Sequence, residues 1–143
     1  MGRRKILKRS ALWLVALLLV IQLVPYGRDH ANPAGRRIAW DSARTERLAA
    51  GACMDCHSNM TKWPVYSNVA PVSWLVERDV DEGRAKLNLS TEDPKVRNMV
   101  EKIRDGSMPP WQYKPLHPGA RLSATERQDL IRGLQATFGA RHH

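Results

Sequence analysis

The most apolar part of the sequence lies close to its N-terminus. Residues 11–24 read ALWLVALLLVIQLV, follow a cluster of basic residues and end at Pro25. A basic segment followed by an apolar run is the layout of a secretory leader. A buried core helix would also fit this length, but the basic preface and the almost unbroken apolar circumference favour export. Residues 1–25 are therefore predicted to form a membrane-inserted helix.

The residues after the apolar run offer no convincing cleavage site. A signal peptidase site needs small residues at alternate positions, as in A-x-A, and the stretch from Pro25 to Pro33 has none that is well placed. The leader is therefore predicted to remain as a signal anchor. By the positive-inside rule the basic cluster stays in the cytoplasm and the remaining chain lies across the membrane.

Beyond the leader, apolar positions recur with helical spacing. Residues 26–40 lack this periodicity and contain several Pro and Gly residues, which predicts a linker. The first helix of the following domain is predicted at residues 41–52, with Asp41 as its N-terminal cap. Two further apolar stripes predict helices at residues 72–87 and 92–105.

The last helix has the clearest boundary signals. Ser123 and Glu126 have the spacing of a capping box, and Gly106 supplies a stop for the preceding helix. The helix after the capping box is predicted to end at Gly139. No alternating strand pattern occurs anywhere, so residues 41–139 are predicted to form an all-α domain.

The net charge of the chain does not alter the prediction of an exported, all-α protein. The formal net charge is +9, with 23 Lys and Arg residues against 14 Asp and Glu residues. Five of the basic residues precede Ser10, so the rest of the chain is only mildly basic. It contains neither a basic stripe nor a recognised nucleic-acid-binding module, and a nucleic-acid partner is therefore not expected.

The two cysteines of the chain carry the strongest chemical signal. Cys53 and Cys56 enclose two residues, and His57 follows directly, which gives C-x-x-C-H. This is the attachment signature of c-type haem, in which two thioethers hold one edge of the porphyrin and the histidine binds the iron. The sequence therefore predicts one covalently bound haem c per chain, with His57 as an iron ligand.

Three other interpretations of the cysteine pair are weaker. A thioredoxin-like dithiol would accompany a βαβ pattern, which the sequence lacks. A structural zinc site needs a fourth protein ligand, which could come only from histidines far from the motif. A disulfide suits an exported protein but leaves the adjacent His57 unexplained.

A second axial ligand is expected on the other face of the haem. Met54 and Met60 lie too close to the motif to pass around a porphyrin edge, and Met99 belongs to an apolar helical stripe. Met108 follows a helix stop and precedes two prolines that stiffen its loop. It is the predicted ligand, and His117 remains the alternative.

Large aromatic residues are expected to form the walls of a haem pocket. Trp63 and Trp111 flank the two segments that carry the predicted ligands, so these two are the predicted pocket residues. The simpler explanation is that they fill a small core, and the sequence does not separate the two roles.

The sequence resembles the small haem-binding domain proteins of bacterial periplasms, which are monohaem c-type cytochromes with a hydrophobic leader. The matching segments are residues 53–59, 61–68, 70–75, 79–84, 108–111 and 116–119. The resemblance implies haem attachment at Cys53 and Cys56, His57 as proximal ligand and Met108 as distal ligand. Val65 departs from the pattern, because the family often has a second Trp there.

The expected protein is thus a cytochrome c-like electron carrier on a bacterial inner membrane, with its haem domain in the periplasm. Its expected partners are membrane or periplasmic redox proteins. It is not expected to be an enzyme. The alternative is a peroxidase-like enzyme or a ligand or redox sensor with a displaceable distal ligand, for which His117 is the one attractive acid-base residue.

Overall fold

The computed structural model describes residues 2–91 and 94–139. These residues form six α-helices: α1 (Gly2–Ile21), α2 (Ala43–Ala52), α3 (Met54–His57), α4 (Val72–Lys86), α5 (Arg97–Arg104) and α6 (Ala124–Gly139). Short 3₁₀ turns occur at Val65–Asn68 and Pro118–Ala120. The described residues contain no strand, which confirms the all-α prediction.

The N-terminal cap of α2 lies one residue later than predicted. Its N-cap is Ser42, whose side-chain oxygen accepts a hydrogen bond from the Thr45 backbone N–H at 3.1 Å. The prediction of Asp41 as the cap was wrong. Asp41 instead bonds to α6, where its backbone N–H donates to the Thr137 hydroxyl at 3.1 Å. Asp and Ser both cap helices well. Because Asp41 contacts α6, Ser42 serves as the cap.

The boundaries of the last two helices follow the predicted signals. The Ser123 N–H donates to the Glu126 carboxylate at 2.8 Å, and the Glu126 N–H donates to the Ser123 hydroxyl at 3.2 Å. This reciprocal pair confirms the capping box. Gly106 has a φ of +80° directly after α5, the left-handed conformation of a glycine that ends a helix.

Helix α5 is shorter than the helix predicted at residues 92–105. Residues 92 and 93 lie outside the described residues, and Pro94 and Lys95 have no helical structure. Met99, Val100 and Ile103 form the buried face of α5. The predicted apolar stripe is therefore correct even though the predicted start is too early.

The chain divides into two compact units. The larger unit comprises Asn32–Lys62 and Val80–His143. Its core contains the almost fully buried side chains of Leu89, Ile103, Leu130 and Leu134. Burial of such side chains is the main stabilising term of a small helical domain.

The smaller unit comprises Met1–Ala31 and Trp63–Asp79. Helix α1 buries none of its residues. The Gln22 side chain, just beyond α1, donates to the Ala70 carbonyl at 2.9 Å and accepts from the Ala70 N–H at 3.0 Å. Among the described residues, no helix has both the length and the apolar character required to cross a membrane.

The segment at residues 26–40 contains neither helix nor strand. Part of it is nevertheless attached to the larger unit. The Arg36 N–H donates to the Ser90 carbonyl at 2.9 Å, the Ile38 side chain is buried in the core and Trp40 packs against the same apolar cluster. The end of this segment therefore contributes to the fold of the larger unit.

Candidate functional site

The C-x-x-C-H motif folds as a single helical turn directly after α2. The Cys53 N–H donates to the Ala49 carbonyl at 2.8 Å, and the His57 N–H donates to the Cys53 carbonyl at 2.9 Å. Cys53 is the N-cap of this turn, with a φ of −133°, and Cys56 lies within the turn. The two thiols are not joined in a disulfide.

The ring of His57 is held by two backbone carbonyls. Its Nδ1 atom lies 3.0 Å from the Gly83 oxygen and 3.0 Å from the Leu87 oxygen. A carbonyl only accepts hydrogen bonds, so Nδ1 carries the proton and the lone pair of the neutral ring lies on Nε2. No described residue forms a hydrogen bond with Nε2. This arrangement is typical of a histidine that binds a metal through Nε2.

Gly83 allows α4 to approach the motif closely enough for these bonds. A Cβ atom at this position would lie 2.3 Å from the Cys56 carbonyl oxygen and 3.0 Å from the Cys56 Cβ. Real side chains do not tolerate such contacts, because the Cys56 atoms belong to the motif itself rather than to the end of a flexible chain. From the sequence alone Gly83 is one position of the apolar stripe at residues 72–87, which gives no sign of this role.

Arg84, the next residue of α4, binds the segment that follows the motif. Its Nε donates to the Ser58 carbonyl at 2.9 Å, and one terminal nitrogen donates to Asn32 Oδ1 and Thr61 Oγ1, both at 2.9 Å. Ser58 is fully buried, and its hydroxyl donates to the Met54 carbonyl at 2.7 Å. The backbone on the C-terminal side of His57 is thereby fixed to α4.

A side chain inside the motif links it to the loop that carries His117. The Tyr113 hydroxyl donates to Asp55 Oδ2 at 2.7 Å. The His117 ring stacks on the Tyr113 ring with a centroid distance of 3.6 Å and an interplanar angle of 7°. His117 Nδ1 also lies 2.9 Å from the Tyr113 carbonyl oxygen, to which it donates. The structure thus gives His117 a packing contact, and its role as an iron ligand stays a prediction.

Met108 lies in the loop that follows α5. Its N–H donates to the Lys102 carbonyl at 3.0 Å, and its half-buried side chain packs against the apolar cluster that also contains Cys53 and Met54. Met99 is buried in that cluster, as its helical position predicted. Met108 and the first cysteine of the motif therefore share one apolar environment.

The two predicted pocket tryptophans lie in different surroundings. Trp111 is 79% exposed. Trp63 belongs to the smaller unit, where it stacks on His30 with a centroid distance of 4.7 Å. Neither is part of the apolar cluster around Cys53, and their contact with haem stays a prediction.

Burial disfavours the ionised, thiolate form of Cys53. Desolvation, with a smaller contribution from the nearby Cys56, raises the pKa of Cys53 from 9.0 to about 12. Among the described residues, no group of three or more His, Cys, Asp or Glu side chains is placed to hold a metal ion. Two free cysteines at one helical turn, followed by a histidine whose ring is oriented by two carbonyls, fit the donor set for covalent haem attachment.

Comparison with known proteins bears on this site. A family model described as a haem-binding domain matches residues 16–136, which includes the complete motif, α4 and the Met108 loop. No curated protein matches the chain, and no solved structure matches it.

Proposed function

Since the chain belongs to the haem-binding domain family, we propose that it is a membrane-anchored, periplasmic monohaem c-type cytochrome that carries single electrons. Cys53 and Cys56 would hold one haem through thioether bonds. His57 would bind the iron from one side and Met108 from the other. The bound haem would supply an iron centre that accepts and releases one electron.

The observation that carries this proposal is the pair of hydrogen bonds from His57 Nδ1 to the carbonyls of Gly83 and Leu87. They fix both the tautomer and the orientation of the ring. They also raise the basicity of Nε2, because a hydrogen bond donated by one ring nitrogen makes the other a better electron donor.

The surroundings of Met108 support it as the second ligand. Its side chain shares an apolar cluster with Cys53, and Pro109 and Pro110 restrict the backbone that follows it. A thioether ligand paired with histidine raises the reduction potential relative to two histidines. An apolar environment would raise it further by disfavouring the more highly charged oxidised state.

The function is proposed to be electron transfer and not catalysis. A haem peroxidase needs an acid-base side chain beside the distal position. His117 is the candidate for that role, and its ring stacks on Tyr113 while its Nδ1 proton is donated to a backbone carbonyl. The stacking on Tyr113 supports a packing role for His117 and thereby favours the carrier.

The periplasmic location proposed for the haem domain is based on the N-terminal segment. Basic residues precede an apolar run whose side chains are exposed along α1, and this pattern supports an anchor with the basic end in the cytoplasm. The haem would then face the periplasm, where c-type attachment takes place in bacteria. Membrane or periplasmic redox proteins would be the donors and acceptors of its electrons.

The test is to produce the full-length protein in a bacterium that has the c-type maturation machinery. One haem per chain should remain on the polypeptide after acid-acetone extraction and denaturing electrophoresis. Cys53→Ser with Cys56→Ser should abolish the attached pigment. The matched control, Ser107→Ala with Ser123→Ala, alters two exposed residues and should retain it. Fully extractable haem in the wild-type protein would refute covalent attachment.

Function as a carrier is tested by carbon monoxide. A ferrous iron with two protein ligands should bind carbon monoxide slowly, because Met108 must first dissociate. Rapid and complete binding by the wild-type protein would favour the enzyme or sensor.

A further inference from the structure

Two stretches of the smaller unit contain no charged residue. Residues 10–27 and residues 63–76 both lack Asp, Glu, Lys, Arg and His. The first contains most of the apolar part of α1, and the second leads into and through the first turn of α4. Both belong to the same compact unit.

The two stretches are bonded to each other. The amide of Gln22 exchanges a pair of hydrogen bonds with the backbone of Ala70, at 2.9 and 3.0 Å. Gly27 provides a second contact, since it has a φ of +81° and a Cβ there would lie 2.6 Å from the Ser73 carbonyl oxygen. The end of α1 and the segment around Ala70 therefore form one local structure.

Large apolar side chains of both stretches face solvent. In the second stretch Val65 is 88% exposed, Val69 is 55% exposed and Leu75 is 58% exposed. At the end of the first stretch Leu23 is 82% exposed. A group of exposed apolar side chains within one unit, without a charged residue among them, is unusual for a surface in water and indicates an interaction site.

We infer that residues 65–75 rest on the lipid bilayer into which α1 inserts, so that the smaller unit contacts the membrane at two places. This inference deepens the membrane anchoring of the proposed function and depends on it. The Gln22 and Gly27 contacts hold the second stretch beside the membrane end of α1. Val65, Val69 and Leu75 then enter the boundary between headgroups and acyl chains, as apolar side chains of interfacial segments do.

Lipid is a better occupant than a protein for two reasons. Helix α1 buries none of its residues, and its apolar side chains are exposed on every side, which suits a surrounding solvent of acyl chains and not a one-sided protein groove. The hydrogen bonds between Gln22 and Ala70 also hold residues 65–75 beside the end of α1, so the acyl chains that surround α1 lie next to them.

The experiment uses the full-length, haem-loaded protein in nanodiscs of phosphatidylethanolamine and phosphatidylglycerol. A fraction of the lipid carries a photoactivatable diazirine close to the headgroup, and labelled peptides are mapped by mass spectrometry. Label is expected on α1 and on residues 63–76. Helix α5 has a charged exposed face and should stay unlabelled.

A pair of matched variants tests the apolar side chains directly. Val65→Glu with Leu75→Glu should reduce the label on residues 63–76 several-fold and leave the label on α1 unchanged. The control, Ala85→Glu with Asn98→Glu, adds the same charge at exposed positions of the larger unit and should label like the wild type. The haem absorption spectrum of both variants should match the wild type, which reports an intact haem site.

The outcomes separate this inference from the proposed function. Label on α1 without label on residues 63–76 would overturn the inference and leave the anchor standing. Absence of label from both would overturn the anchor as well. In a parallel sample treated with a bifunctional protein cross-linker, cross-links between residues 63–76 of two chains, without lipid adducts there, would show that a second copy covers the surface, and lipid contact would then be wrong. Haem attachment is measured separately and is unaffected by any of these results.

Discussion

Replacing Gly83 with alanine should disturb the motif without replacing any of the proposed haem-binding residues. The added Cβ would lie 2.3 Å from the Cys56 carbonyl oxygen. Ordinary contact between a carbon and its neighbour requires about 3.5 Å, so α4 and the motif must separate by about 1 Å at this point. The His57 Nδ1 to Gly83 oxygen distance of 3.0 Å would lengthen accordingly, beyond the range of a good hydrogen bond.

Gly83→Ala is expected to destabilise the protein, whereas helix propensity alone would predict that it stabilises the protein. Alanine is more favourable than glycine inside a helix by about 0.5–1 kcal/mol. Overpacking costs about 1–3 kcal/mol, and loss of a buried hydrogen bond costs about 1 kcal/mol more. We therefore expect Gly83→Ala to reduce the free energy of unfolding of the haem-loaded protein by about 1–3 kcal/mol.

The assay combines denaturant unfolding with a redox titration. Weaker donation from Nδ1 makes Nε2 a poorer donor, which disfavours ferric iron, so the midpoint potential of Gly83→Ala should rise. Ala85→Gly is the matched control, because Ala85 is exposed on the same helix. It should lower stability by about 0.5–1 kcal/mol through propensity alone and leave the potential unchanged. A Gly83→Ala protein at least as stable as the wild type, with an unchanged potential, would refute the reasoning.

Three further predictions concern the second ligand, the buried thiol and a helix cap. Met108→Ala should abolish the far-red sulfur-to-ferric-iron absorption band and speed carbon monoxide binding. The control Met60→Ala, at a methionine that is 45% exposed, should change neither. A band that persists in Met108→Ala would exclude Met108 as the ligand. In haem-free protein at pH 8, Cys53 should be alkylated more slowly than Cys56, because burial raises the pKa of Cys53 to about 12 and thiolate is the reactive form. The alkylation rate of Cys53 should keep rising as the pH approaches that value. Equal alkylation rates for the two cysteines in native buffer would contradict the burial of Cys53. Ser123→Ala should lower the free energy of unfolding by about 0.5–2 kcal/mol, read from the denaturant midpoint, with an unchanged haem spectrum; an unshifted midpoint would mean that the capping box contributes nothing.

Local signals were the ones that the sequence revealed. The capping box of Ser123 and the stop at Gly106 depend only on neighbouring residues, and both are present. The family resemblance is likewise confirmed, because a family model described as a haem-binding domain matches residues 16–136. Caps and stops could be predicted because they depend on residues close together in the sequence and not on tertiary packing.

Tertiary contacts were the part that the sequence could not supply. The choice of Ser42 over Asp41 as a cap depends on α6, which binds Asp41 from the far end of the chain. The close approach of Gly83 to Cys56 depends on how α4 meets a motif that lies well upstream. Pairings of this kind are set by packing and not by periodicity, so the residues that orient His57 could be found only in the folded chain.

The burial of Cys53 has a consequence for the order of events in biogenesis. With only 7% of its surface exposed, its sulfur is enclosed by the apolar cluster and is not open to a maturation enzyme. Haem attachment would therefore have to precede closure of the domain, and the thioether bond would form on an open chain. Chain released from a denaturant should accept haem from the maturation machinery faster than chain that was folded beforehand. Equal rates would show that the domain opens readily at this position.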